Sequence, residues 1–110
     1  MVADEAHYLK SRESKRSKSL VPLLSNIKRV LLLSGTPMLG RPSEIYNLVK
    51  ILKPEIFSKF MTFGMRYTQP KQSAFGVDWS GNSNNRELFV LLNSSMMIRR
   101  LKSEVLAELP

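Results

Sequence analysis

The chain has 110 residues, a hydrophobic fraction of 43% and no cysteine. That gives room for one small domain with a core, and it excludes disulfides, thiolate zinc sites and cysteine nucleophiles. With 17 Lys and Arg against 9 Asp and Glu, the net charge of +8 favours a polyanionic partner, nucleic acid ahead of an acidic membrane surface.

No apolar run approaches the roughly 20 residues of a membrane span, and Asp4 and Glu5 so near the amino end do not suit a secretory signal. No membrane partner is expected. Met1 to Ala3 reads as the end of a buried strand, with Asp4 and Glu5 just past its carboxyl end. Residues 10–18 are basic and serine-rich: Lys10, Arg12, Lys15, Arg16 and Lys18 stand against Glu13 alone. They read either as a solvated loop and helix start or as a phosphate-contacting surface. A short helix is predicted over 19–26, with Leu20, Leu23 and Leu24 on one face and Pro22 in its first turn. Val30 to Leu33, four apolar residues between charge and Ser-Gly-Thr-Pro, predict a fully buried parallel strand.

Pro42 suits the first position of a helix, and Ile45, Leu48, Val49 and Leu52 follow at helical spacing until Pro54. Residues 54–67 predict one or two further helices, with Ile56, Phe57, Phe60, Met61 and Phe63 as core. The polar stretch 69–85 reads as a loop or insertion. A helix is predicted over 86–95, a short strand at Met96 to Ile98, and a last helix over 102–109.

Two clusters carry chemistry. Two acids past a strand, with a small residue and His7 behind them, suit nucleotide hydrolysis. One carboxylate can hold Mg²⁺ through water, since that hard cation prefers oxygen, while the other orients or deprotonates the attacking water. About 30 residues later a second apolar run ends in Ser34-Gly35-Thr36-Pro37, which offers two short hydroxyls around a glycine that lets the backbone turn or approach closely. Alone, each cluster also fits a surface acid pair or a strand-ending turn.

In order and spacing, Asp4-Glu5-Ala6-His7 and Ser34-Gly35-Thr36-Pro37 resemble motifs II and III of superfamily-two helicase-like ATPases. Leu33 to Pro37 has the form of the Swi/Snf-related branch. Arg99-Arg100-Leu101-Lys102-Ser103-Glu104-Val105 with Leu109-Pro110 is similar to the segment that ends that branch's first motor lobe. Arg41 to Tyr46, Phe63 to Tyr67 and Asp78 to Asn84 resemble the HepA-related annealing helicases.

The resemblance implies an α/β fold, part of a RecA-like (P-loop NTPase type) parallel sheet with flanking helices. Residues 1–110 would be the C-terminal part of the first ATP-binding lobe of a DNA translocase or annealing helicase that rewinds DNA or remodels forks or chromatin. It implies ATP and Mg²⁺ as cofactors, forked DNA or single-strand/double-strand junctions and a second motor lobe as partners, and residence in the nucleus. Asp4 would help hold Mg²⁺–ATP and Glu5 would activate water. His7 would link the nucleotide site to motif III, and Ser34, Gly35 and Thr36 would couple nucleotide state to lobe closure on DNA. Arg99 and Arg100 are expected to be structural. No glycine is followed by lysine, so the phosphate loop G-x-x-x-x-G-K-[ST] is not in these residues. Two other readings stay open: a non-catalytic nucleic-acid-binding fragment, and a decayed or truncated gene product.

Overall fold

A computed structural model describes residues 1–36 and 40–108. Strand β1 (Val2–Ala3) pairs in parallel with β2 (Leu31–Leu32), Val2 opposite Leu31 and Ala3 opposite Leu32. A parallel pair needs a crossover, and the chain supplies it as a 3-10 turn (Ala6–Leu9) and helix α1 (Lys15–Ser25). A second 3-10 turn (Pro42–Glu44), with Pro42 at its start, leads into α2 (Tyr46–Leu52), and α3 (Phe60–Tyr67) follows. Next come a hairpin of β3 (Lys71–Ser73) and β4 (Gly76–Asp78), helix α4 (Asn85–Ser95) and the short α5 (Lys102–Val105), which runs on as a 3-10 turn to Glu108. The fold is α/β, with a small parallel sheet flanked by helices, as expected.

The core gathers around α2, whose Tyr46, Asn47, Leu48, Val49 and Ile51 are all buried. Val21 and Leu24 of α1 pack on it from one side, and Phe57, Phe63, Tyr67, Leu88 and Leu92 from the other. The aromatic rings meet edge-on or tilted: Tyr46 with Phe60 at 5.0 Å, Phe57 with Phe63 at 6.0 Å and Phe63 with Tyr67 at 5.0 Å. The ring quadrupole favours such arrangements over face-to-face stacks.

Several expectations are corrected. Helix α1 starts at Lys15, four residues earlier than the predicted 19–26, because Ser14 caps it: its Oγ accepts the Ser17 N–H at 3.1 Å. Pro22 therefore lies inside the helix. It sits on the exposed side, where water can reach the Lys18 carbonyl it leaves unpaired. The buried stripe is Ser17, Val21 and Leu24, while Leu20 and Leu23 face solvent.

Val30 to Leu33 is not a fully buried strand. Only two of its residues pair, and Leu31 and Leu33 are 54% and 42% exposed, because the sheet has two strands here and no covering layer on one face. Val2 is likewise exposed. Ile56 and Met61 lie outside the core, pointing away from the Phe57 and Phe63 side.

No strand forms at Met96 to Ile98. The N–H groups of Met96 and Met97 instead donate back to the Leu92 carbonyl and close α4, and Ile98 is exposed. The polar stretch 69–85 holds the β3–β4 hairpin within otherwise irregular chain, and α4 takes its last residue. Pro37, Leu109 and Pro110, each part of a sequence motif, lie outside the described residues.

Candidate nucleotide-hydrolysis site

The two motifs meet at the carboxyl ends of β1 and β2. The Leu33 N–H donates to the Ala3 carbonyl at 2.9 Å, and the Ala6 N–H donates to the Leu33 carbonyl at 2.8 Å. These two bonds extend the strand ladder past its formal end. They fix the acid turn directly against the start of Ser34-Gly35-Thr36.

Between the strand and the 3-10 turn the chain must reverse sharply. Glu5 makes that reversal in the left-handed region, at φ 53° and ψ 40°. A non-glycine residue there costs about 1–3 kcal/mol, and such strain gathers at functional sites. The Asp4 carboxylate accepts the Glu5 N–H at 2.8 Å, which settles the peptide between the two acids. Both acids are exposed.

His7 joins the motifs. Its Nδ1 lies 3.2 Å from Glu5 Oε2 and 3.0 Å from Ser34 Oγ, and Ser34 Oγ also accepts the Thr36 N–H at 3.2 Å. A carboxylate only accepts, so a hydrogen on Nδ1 satisfies the Glu5 contact, whereas a lone pair there would oppose it. A continuous polar line thus runs from Glu5 through His7 and Ser34 to the Thr36 backbone. Gly35 needs no special conformation in this arrangement: it does not lie at positive φ, and a Cβ there would meet none of the described residues within 4 Å. The chain bends at Gly35, as expected, without using a conformation reserved for glycine.

Below the turn lies a support that sequence reasoning missed. Leu9, the last residue of the turn, is buried, and its carbonyl accepts from Ser17 Oγ of α1 at 3.1 Å and from Asn47 Nδ2 of α2. Ser17 and Asn47 are themselves buried. Satisfied buried polar groups of this kind fix geometry, because breaking one leaves an unpaired group away from water. Ser17 sits in a basic, serine-rich run, so nothing in the local pattern distinguished it from a solvated serine.

The basic residues divide in two. Lys15, Arg16 and Lys18 lie exposed on α1, with Lys18 Nζ 3.1 Å from Glu13 and the Arg16 guanidinium 5.4 Å from the centre of the Tyr8 ring. Lys10 Nζ lies 3.9 Å from Glu44. Arg12 is half-buried, its guanidinium 3.3 Å from the centre of the Phe60 ring, a cation–π contact that fixes it in place. Arg99 and Arg100 are exposed.

Among the described residues no group of three or more His, Cys, Asp or Glu side chains converges on one point. Mg²⁺ does not need one, since one or two carboxylates commonly hold it together with substrate phosphates and water. The exposed carboxylate of Asp4 at a strand's carboxyl end is a donor of that kind.

The SNF2-related domain model matches residues 1–110. The chain is 50% identical over its full length to the SWI/SNF-related matrix-associated actin-dependent regulator of chromatin subfamily A-like protein 1 of Xenopus tropicalis, spanning 12% of that protein. To the mouse DNA annealing helicase and endonuclease ZRANB3 it is 45% identical over 114 aligned residues, all of this chain and 11% of that protein. To the Drosophila melanogaster protein with the same name as the Xenopus one it is 43% identical, spanning 14% of it.

Proposed function

This chain belongs to the SNF2-related domain family, and from that premise we infer that it forms the C-terminal part of a first motor lobe in a DNA-dependent ATPase of the annealing-helicase type. ATP and Mg²⁺ are its cofactors, and DNA with single-strand/double-strand junctions or forks is its substrate. A second motor lobe completes the engine, and its workplace is the nucleus. The observation that carries this reading is the contact of His7 Nδ1 with both Glu5 Oε2, at 3.2 Å, and Ser34 Oγ, at 3.0 Å.

In this reading Asp4 would hold Mg²⁺, which would supply charge neutralisation at the nucleotide's phosphates. Glu5, exposed and turned out by its left-handed backbone, orients the attacking water and accepts its proton. His7 holds the Glu5 carboxylate to that task. The same ring nitrogen touches Ser34, so a shift of Ser34-Gly35-Thr36 when DNA binds would reach Glu5 through one side chain. Lys15, Arg16 and Lys18 on α1 present positive charge for DNA phosphates.

These residues contain no phosphate-gripping loop, so the chain by itself is expected to show no DNA-stimulated hydrolysis. The reading is tested by placing the chain in the Xenopus tropicalis protein in place of its matching segment. The hybrid is expected to hydrolyse ATP faster with DNA, and Glu5→Gln to cut that rate by about 10²–10⁴-fold, the usual worth of a positioned base. A hybrid whose rate is unchanged by Glu5→Gln would overturn the assignment.

A further inference from the structure

The motor motifs do not account for the β3–β4 hairpin. Its six paired residues are all exposed, and its two-residue turn, Ala74-Phe75, holds the Phe75 ring fully in solvent. Turns of this length usually carry glycine, asparagine or aspartate. An aromatic ring held in water costs free energy unless something covers it.

The base of the hairpin, by contrast, is clamped. Trp79 packs edge-on against Phe60 at 5.1 Å and lies over Gly64, where a Cβ would come within 2.6 Å of the indole. Gly81 rests on the Thr68 carbonyl, where a Cβ would be 2.5 Å from the oxygen. The Ser83 N–H donates to the Tyr67 carbonyl, and Ser83 Oγ and Asn84 Nδ2 donate to the Arg66 carbonyl, all at 2.8 Å. An isolated two-stranded hairpin is marginal in water, but this one springs from a fixed base.

That base also touches the basic segment. Phe60 receives the Arg12 guanidinium on its face and Trp79 on its edge. Lys10, Arg12, Glu13, Glu44, Phe60 and Trp79 line one cavity of about 190 Å³, where Lys10 lies against Glu44 and Arg12 against the Phe60 ring. The hairpin's base and Arg12 of the basic segment therefore meet at one aromatic node on Phe60 of α3, and Lys15 and Arg16 follow Arg12 in the chain as exposed cations.

We propose that Phe75 is a base-stacking residue for single-stranded DNA, with the basic segment beside the hairpin's base holding the phosphates. This rests on the reading that DNA is the partner. Phe75 stands among Gln72, Ser73 and Asp78 with Val77 as its one large apolar companion, too small a patch for the roughly 800 Å² per side of a stable protein interface. A ring exposed on a hairpin whose base is tied through Trp79 and Phe60 to the basic segment can stack on a base while that segment meets the backbone, and every base offers a π-face. In a duplex those faces are already covered, so the ring selects unpaired bases, at a gap or at a junction.

The test measures binding of a fluorescein-labelled oligo-dT and of a duplex of equal length, by anisotropy, to the chain and to the Xenopus hybrid. The variants are Phe75→Ala, Phe75→Leu and Phe75→Trp. Because the ring touches nothing, all should melt like the parent. Phe75→Ala and Phe75→Leu are expected to weaken oligo-dT binding by about 5- to 100-fold, the worth of one stacked base. Phe75→Trp is expected to keep that binding, and duplex binding to change less than about twofold in every variant.

Leucine binding as well as phenylalanine, equal losses on both DNAs, or no oligo-dT binding at all would overturn the proposal. Glu5→Gln reports on hydrolysis separately. Hydrolysis surviving that change beside the Phe75 pattern sinks the motor reading alone, and the reverse result sinks the stacking alone.

Discussion

The acidic edge and the aromatic side of this molecule are built on opposite terms. At the edge, β1 and β2 contribute two residues each, Val2 and Leu31 exposed and Ala3 and Leu32 only partly buried, and the acids stand in solvent. Backbone bonds and the Glu5–His7–Ser34 line hold it. On the other side Tyr46, Phe57, Phe63 and Tyr67 are each at least nine-tenths buried, their rings meeting tilted or edge-on. Burial gives stability there, while the edge leaves the Asp4 and Glu5 carboxylates exposed. Changes on one side should therefore leave the other side's property largely intact.

The largest effect that would break this division is expected at Phe63. Phe63→Ala should destabilise by about 3–5 kcal/mol in chemical unfolding, the cost of an aromatic-sized cavity. Glu5→Gln, on an exposed side chain, should stay within about 0.5 kcal/mol of the parent. Comparable losses from both would mean that the edge is part of the core.

Gly64→Ala comes next. Its methyl would press on the Trp79 ring and should cost about 1–3 kcal/mol, the range for overpacking. Trp79 is the single tryptophan, so its emission should shift as the ring is displaced, with hydrolysis in the hybrid unchanged.

Tyr46→Phe sharpens the comparison at smaller scale. The Tyr46 hydroxyl donates to the Phe57 carbonyl at 2.9 Å, and its loss leaves a buried acceptor unpaired at about 1–2 kcal/mol. Burial pushes the Tyr46 phenol up, against the opposing pull of Arg12. Its stabilising share is therefore complete below the unfolded value near pH 10 and is lost as pH rises through the higher folded value. The phenylalanine variant should lose stability less steeply above about pH 10.

The edge was far more legible in the sequence than the side opposite. Asp4, Glu5, His7 and Ser34 stand at a spacing that places them together once two apolar runs pair in parallel, and that pairing is present. What hid was set by tertiary contact. Leu20 and Leu23 were as apolar as Leu24, and it is packing against α2 through Ser17, Val21 and Leu24 that leaves them outward. Met96 to Ile98 has the composition of a strand but no neighbour to pair with. The hairpin at 71–78 has almost no alternation, because both its faces meet water. Its anchor, Trp79 on Gly64, joins residues too far apart for any local pattern to register. The Ser17–Leu9–Asn47 node escaped notice for the same reason.

The account turns on Ser34 being the link between DNA and the hydrolytic acid. The most direct measurement is the rate of ATP hydrolysis by the Ser34→Ala hybrid, with and without saturating DNA, beside the parent hybrid. The rate without DNA should remain, and the stimulation by DNA should fall by about tenfold or more, as expected when roughly 1–3 kcal/mol of coupling between two sites is removed. Full stimulation in that variant, or an equal fall in both rates, would contradict the link.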